Sequence, residues 1–169
     1  MSYAKPLGSG KKLMREALLN GRAAASVVFA TALAGSYAQQ RVIYPEKVDA
    51  KAEIQQALAK AAKSNKRVIL DFGGNWCGDC RALDRYFHQE PNATLLQKNF
   101  ILVDVNIGRF DLNVDISKQY GVPLEKGVPA LAVLDGKGHV LYSQKNGEFE
   151  AMRTMDPASV TTFLQHWKG

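Results

Sequence analysis

The chain has 169 residues, 46% of them apolar and 22% charged, enough for one globular core with a short appendage and too few for two full domains. Its net charge of +6 would suit a nucleic-acid or anionic-membrane partner, but most of the excess sits at the start. Lys5, Lys11, Lys12, Arg15 and Arg22 face only Glu16 across residues 1–38, which is +4 of the +6 and leaves +2 for the rest, so nucleic-acid binding loses its main support.

Residues 1–38 read as an export signal. After the basic stretch, residues 23–34 (AAASVVFATALA) are uncharged and mostly apolar, and Ser36 and Ala38 supply the small residues a signal peptidase reads. A start at Met14 gives the same mature chain. The 16 uncharged residues 23–38 fall short of the roughly 20 needed to span a bilayer, so cleavage after Ala38 is expected over retention as an anchor. Residues 39–48 then form a short N-terminal segment ahead of a domain over 49–169.

Ala52, Ile54, Ala57, Leu58, Ala61 and Ala62 recur at helical spacing between Asp49 and Asn65 and predict an amphipathic helix. Residues 67–72 (RVILDF) make a nearly continuous apolar strand, of the kind covered on both faces in an α/β sheet. A Gly-rich turn and the cysteine pair follow, and a helix carrying Ala82, Leu83, Tyr86 and Phe87 runs on until Pro91 stops it. A second strand spans 101–105, then a polar loop and a short helix ending near Tyr120. Strands at 129–134 and 140–142 flank Asp135-Gly136-Lys137-Gly138, a hairpin signal. The last helix opens with Asp156 as N-cap and Pro157 at its first position, with Val160, Phe163, Leu164 and Trp167 on one face. The order is β-α-β-α-β-α-β-β-α if residues around Val42 form an opening strand.

Cys77 and Cys80 are the only cysteines. A bridge between residues so close closes a tiny loop and removes little unfolded-state entropy, so a structural role explains them poorly. A cysteine at a helix N-terminus faces unpaired N–H groups that stabilise a thiolate, which makes Cys77 the nucleophile; Cys80, one turn further on, is the resolving thiol. The alternative for a C-x-x-C is half of a zinc site, but there is no second pair and His88, His139 and His166 are scattered. No metal ligand set is expected.

The segment 68–80 (VILDFGGNWCGDC), with Tyr120-Gly121-Val122 and Gly127-Val128-Pro129-Ala130 after it, resembles the thioredoxin superfamily over about residues 45–168. The resemblance implies a thioredoxin fold: a central mixed β-sheet flanked by α-helices in a single domain, with reversible dithiol chemistry at Cys77 and Cys80 and no organic cofactor. It also implies that Pro129 is a cis-proline packed against the cysteines and that Val128 offers backbone groups to an extended substrate. Asp71, six residues before Cys77, is then the buried acid that takes the proton of the resolving thiol. Trp76, Gly78 and Asp79 complete the expected substrate-contact surface. Gly73-Gly74 stands in place of the usual bulkier pair, Asp79 where proline is frequent, strand 101–105 lacks the lysine that often partners the acid, and the connection 106–127 is long. Residues 123–126 of that connection could add substrate contacts.

The function expected is an exported, periplasm-type thiol-disulfide oxidoreductase acting on protein thiols and disulfides, as a reductant fed by a membrane-linked electron donor. An oxidant or isomerase would use the same residues. A non-enzymatic copper-binding or redox-sensing module would use the pair as soft ligands.

Overall fold

The computed structural model describes residues 41–169. The expected leader, residues 1–38, lies outside the described residues. The apolar run after Lys66 forms β1 (Arg67–Gly73), in which every residue from Val68 onward is buried. Such a strand needs neighbours on both edges and cover on both faces. It pairs in parallel with β2 (Phe100–Asn106) and antiparallel with β3 (Ala130–Leu134), and β3 pairs antiparallel with β4 (Val140–Ser143). The sheet order among the described residues is β2-β1-β3-β4.

Side-chain alternation divides the core into two layers. Val68, Leu70 and Phe72 pack with Ile54, Ala57 and Ala61 of α1 (Ala50–Ser64) and with Ile116 of α4 (Val114–Gln119). Ile69, Leu131 and Val133 pack on the other face with Leu83 and Phe87 of α2 (Gly78–Phe87) and Val160, Phe163 and Leu164 of α5 (Ala158–Trp167). Asp49 caps α1 as its side chain accepts from the Lys51 and Ala52 amides at 3.0 and 3.2 Å. The described residues make one mixed α/β domain.

Three elements differ from the sequence reading. No strand forms around Val42, which is 67% exposed. The backbone of residues 43–45 instead bonds to side chains: the Ile43 and Tyr44 amides donate to Asn75 Oδ1, and the Tyr44 carbonyl accepts from Asn75 Nδ2 at 2.7 Å. With those groups satisfied, a ladder partner is not needed. An unforeseen helix, α3 (Asn92–Asn99), follows Pro91. Pro91 stands at its N-terminus, where a missing N–H costs nothing, so the residue that ends one helix opens the next. Only Asn92 of α3 is fully buried, and its sequence shows no apolar stripe. At α5 the helix starts one residue later than expected, at Ala158, with the Asp156 carboxylate accepting from its amide at 2.9 Å.

Candidate active site

At the end of β1 the chain makes one tight turn, closed by the Cys77 amide donating to the Gly74 carbonyl at 2.9 Å, and enters α2. Cys77 is the N-cap, and its sulfur accepts from the Cys80 amide at 3.1 Å. The two cysteines are joined as a disulfide with their Cα atoms 5.3 Å apart. Cys77 retains 5% exposure and Cys80 none, so an external partner reaches Cys77 first. The free N–H groups and dipole of α2 favour a thiolate at Cys77. Opposite it, the Val128 carbonyl oxygen lies 3.5 Å from Cys77 Sγ, and the Val128–Pro129 peptide bond is cis. Buried Gln144 pins this segment: its amide nitrogen donates to the Pro129 carbonyl at 3.2 Å and its amide oxygen accepts from the Leu131 N–H at 3.2 Å.

Asp79 is turned toward residue 153. Its carboxylate accepts from the Arg153 backbone amide at 2.9 Å and from Arg153 Nε at 3.1 Å, and Arg153 Nη2 lies 3.0 Å away. Partial burial pushes the Asp79 titration up, but the Arg153 bonds and charge outweigh it and hold the carboxyl below its ordinary range. Arg81, the nearest cation in sequence, instead donates to the Asn75 carbonyl at 2.5 Å. Gly78 lies under the Arg153 side chain, which a Cβ there would meet at 3.3 Å.

On the other flank Trp76 is 42% exposed and its indole N–H donates to the Gly108 carbonyl at 2.6 Å. Its ring meets Phe110 at 5.7 Å between centroids, and the Arg109 guanidinium sits 5.2 Å from its face. Phe110 adopts φ 70°, a costly conformation for a bulky side chain. It is held there because the amides of Phe110, Asp111 and Leu112 all donate to the Ile107 carbonyl, at 2.9, 3.1 and 3.1 Å. Trp76, Phe110 and Leu112 therefore present an exposed apolar patch beside the disulfide.

Asp71 lies beneath, 1% exposed. Tyr44, fully buried, donates its hydroxyl to Asp71 Oδ2 at 2.9 Å, while Asp71 Oδ1 has no hydrogen-bond partner among the described residues. The β1–β2 register sets Asp104 directly beside Asp71. Burial, then the neighbouring Asp104 and Asp84 charges, raise Asp71 well above the usual carboxylate range, and the Tyr44 hydrogen bond opposes them. Asp104, also penalised by burial and Asp84, is pushed up to about 7. Tyr44, Gln144, Arg153 and Phe110 carry no sequence signature of these roles; each acquires its role from a contact with a distant part of the chain. Among the described residues no three His, Cys, Asp or Glu side chains gather into a metal-ligand set.

The buried acid has a consequence for stability. A free aspartate titrates near 3.9 and native Asp71 takes its proton at higher pH. Between those points the native state binds more protons than the unfolded state, so stability falls as pH rises, by up to about 1.4 kcal/mol per pH unit for this group. Asp71→Asn removes that contribution, and its stability relative to the parent should increase from pH 4 to pH 8 in denaturant titrations; a constant difference would show that Asp71 is not held protonated.

A thioredoxin-like family profile matches residues 49–136. A crystal structure described as a disulphide isomerase from Xylella fastidiosa Temecula1 is 36% identical, with a TM-score of 0.72, covering 75% of this chain and 97% of that one. The thiol:disulfide interchange protein DsbD of Klebsiella pneumoniae is 26% identical over 131 residues, 77% of this chain. That of Vibrio vulnificus CMCP6 is 35% identical over 57 residues, 34% of this chain. The chain spans only 20% and 10% of those two relatives' lengths. With a capping, redox-capable cysteine pair at the start of α2 and these matches across its sheet and helices, the chain belongs to the thioredoxin-like family of thiol-disulfide oxidoreductases.

Proposed function

We propose that the protein is an exported reductant of protein disulfides. The observation that carries the direction is the pair of acids, Asp71 and Asp104, set side by side under the cysteines with no cation between them in the strand register. Whatever disfavours a thiolate at the pair disfavours the reduced form and makes the protein a stronger reductant. Where these carboxyls ionise as pH rises, their charge opposes the helix terminus that favours the Cys77 thiolate. The Asp79 carboxylate, which lies between the two cysteines in sequence, is largely offset by Arg153.

Cys77 attacks the substrate disulfide through its sulfur, the first substrate thiolate leaves, and a mixed disulfide remains. Asp71, as carboxylate, takes the proton of Cys80; the Cys80 thiolate attacks Cys77 Sγ, and the second substrate thiolate leaves with the electron pair. The Trp76–Phe110–Leu112 patch and the Val128 backbone receive the substrate chain on either side. No organic cofactor takes part; the redox group is the Cys77–Cys80 pair. Export rests on the basic, apolar and small-residue order of residues 1–38. In an oxidising compartment the pair must be reduced again after each turnover, and a membrane-linked donor meets that need. The disulphide isomerase from Xylella favours a second reading, isomerisation through the same residues.

Intact mass of the exported protein should begin at Gln39. Cys77→Ser should abolish exchange while Cys80→Ser accumulates mixed disulfides with substrates; adducts in the first variant and none in the second would reverse the roles. Equilibration with a reference dithiol should give a potential nearer thioredoxin's roughly −270 mV than the roughly −120 mV of a strong oxidant. Arg153→Ala should make it more negative by freeing the Asp79 charge. A potential above about −180 mV, the value of an isomerase, assigns the isomerase or oxidant role instead.

A further inference from the structure

Residue Tyr44 lies before residue 49, where the family match begins, yet it is among the most deeply buried side chains in the chain. Its backbone is latched on both sides by Asn75, two residues before Cys77, and its carbonyl and that of Pro45 also accept from Asn106 Nδ2 at 3.5 and 3.3 Å. The ring reaches the space beside Gly73. A Cβ on Gly73 would lie 2.5 Å from Tyr44 Cζ and 2.8 Å from Cys80 Sγ, so the tyrosine tip and the resolving sulfur border the same small gap, and glycine alone leaves it open. The unusual glycine of the sequence thus has a physical reason.

We propose that Tyr44 is a positioning residue for the proton transfer that resolves the mixed disulfide, holding the Asp71 carboxylate by one oxygen beside Cys80 and leaving the other free to accept the thiol proton. The inference rests on the reading of Asp71 as the base. The step balances: the Cys80 thiol proton passes to Asp71, the Cys80 thiolate bonds to Cys77 Sγ, the bond from Cys77 to the substrate sulfur breaks, and the substrate leaves as a thiolate. Tyr44 keeps its own proton throughout. Burial and the adjoining Asp71 and Asp104 hold its phenol well above the usual range, so it remains a donor at every working pH.

The groups around Asp71 leave this task to Tyr44. From β2 comes Asp104 and from α2 comes Asp84, both acidic, and Asp84 is itself paired with Arg41 at 3.1 Å and His88 at 3.2 Å. Arg41, His88 and Glu53 act on Asp104. On β3 the residue in register is apolar Leu131. Tyr44 supplies the single side-chain hydrogen bond that Asp71 accepts among the described residues, and it favours the ionised carboxylate, the form able to take a proton.

The test follows release of the second equivalent of chromogenic thiol when the reduced protein meets an aromatic disulfide, a reading of Cys80 attack on the Cys77 mixed disulfide, from pH 5 to 9. Tyr44→Phe should move the midpoint of the rate profile upward by at least half a unit, with a threefold or greater loss at pH 6 and the alkaline plateau retained. In the Asp71→Asn background the same change should have no further effect. In the oxidised protein, the infrared carboxylic-acid band assigned to Asp71 by its loss in Asp71→Asn should disappear at higher pH in Tyr44→Phe, a readout independent of turnover. Superimposable profiles and bands in Tyr44→Phe and the parent, with Asp71→Asn slowed, overturn the role of Tyr44 alone. An Asp71→Asn variant that resolves at the parent rate overturns the base reading and this inference with it.

Discussion

The sulfur of Cys77 stands where helices ordinarily place the oxygen of Ser, Thr, Asp or Asn, at the N-cap of α2. That substitution ties secondary structure to chemistry. The helix start needs an acceptor for its unpaired amides, and a thiolate serves better than a thiol, so the start of the helix and the ionisation of the cysteine stabilise each other. The turn that brings Cys77 to this place is short, and its two preceding side chains leave in different directions. Asn75 goes to the N-terminal segment and Trp76 to the loop after β2. Both flanks of the site are thereby fastened to the residue pair that does the chemistry.

The two sulfurs experience opposed surroundings. Cys77 faces helix amides and retains slight access to solvent, whereas Cys80 is enclosed with Tyr44 close by and Asp71 beneath. Burial holds the sheet-side acids, Asp71 and Asp104, toward their protonated forms, and of the two acids on α2, Asp79 is occupied by Arg153 and Asp84 by Arg41 and His88. A nucleophile supported by dipoles and a resolving thiol served by a carboxylate are distinct requirements, and a single helical turn separates them.

The sequence reading is accurate where local chemistry decides. The apolar stripe of α1, the buried run of β1 and the Asp135–Gly138 turn all act through neighbours a few residues away, and so does the placing of Cys77 and Cys80 at a helix start. It fails where a contact crosses the chain. The segment at Val42 has strand composition, but Asn75, more than thirty residues away, takes up its backbone hydrogen bonds. The α3 helix shows only Leu95 and Leu96 side by side, with no periodic stripe to announce it. Arg153 lies 74 residues from Asp79, whereas Arg81, the nearest cation in sequence, turns to the Asn75 carbonyl. Gln144 reads as a polar residue after a strand, yet it is buried and braces the Pro129 segment.

Gly73 and Tyr44 also constrain how this sequence can drift. Any side chain at position 73 would run into the tyrosine ring and the Cys80 sulfur, and loss of the ring at position 44 would leave a void against a buried carboxylate. Position 73 is not free to gain a side chain while the ring stands at position 44, although the two sit in segments of different character. A lineage that gains a side chain at the end of β1 has to withdraw the tyrosine first or together with it. The open space at the end of β1 is thus set by a residue in the N-terminal segment, and a side chain at position 73 has room only where the ring is withdrawn.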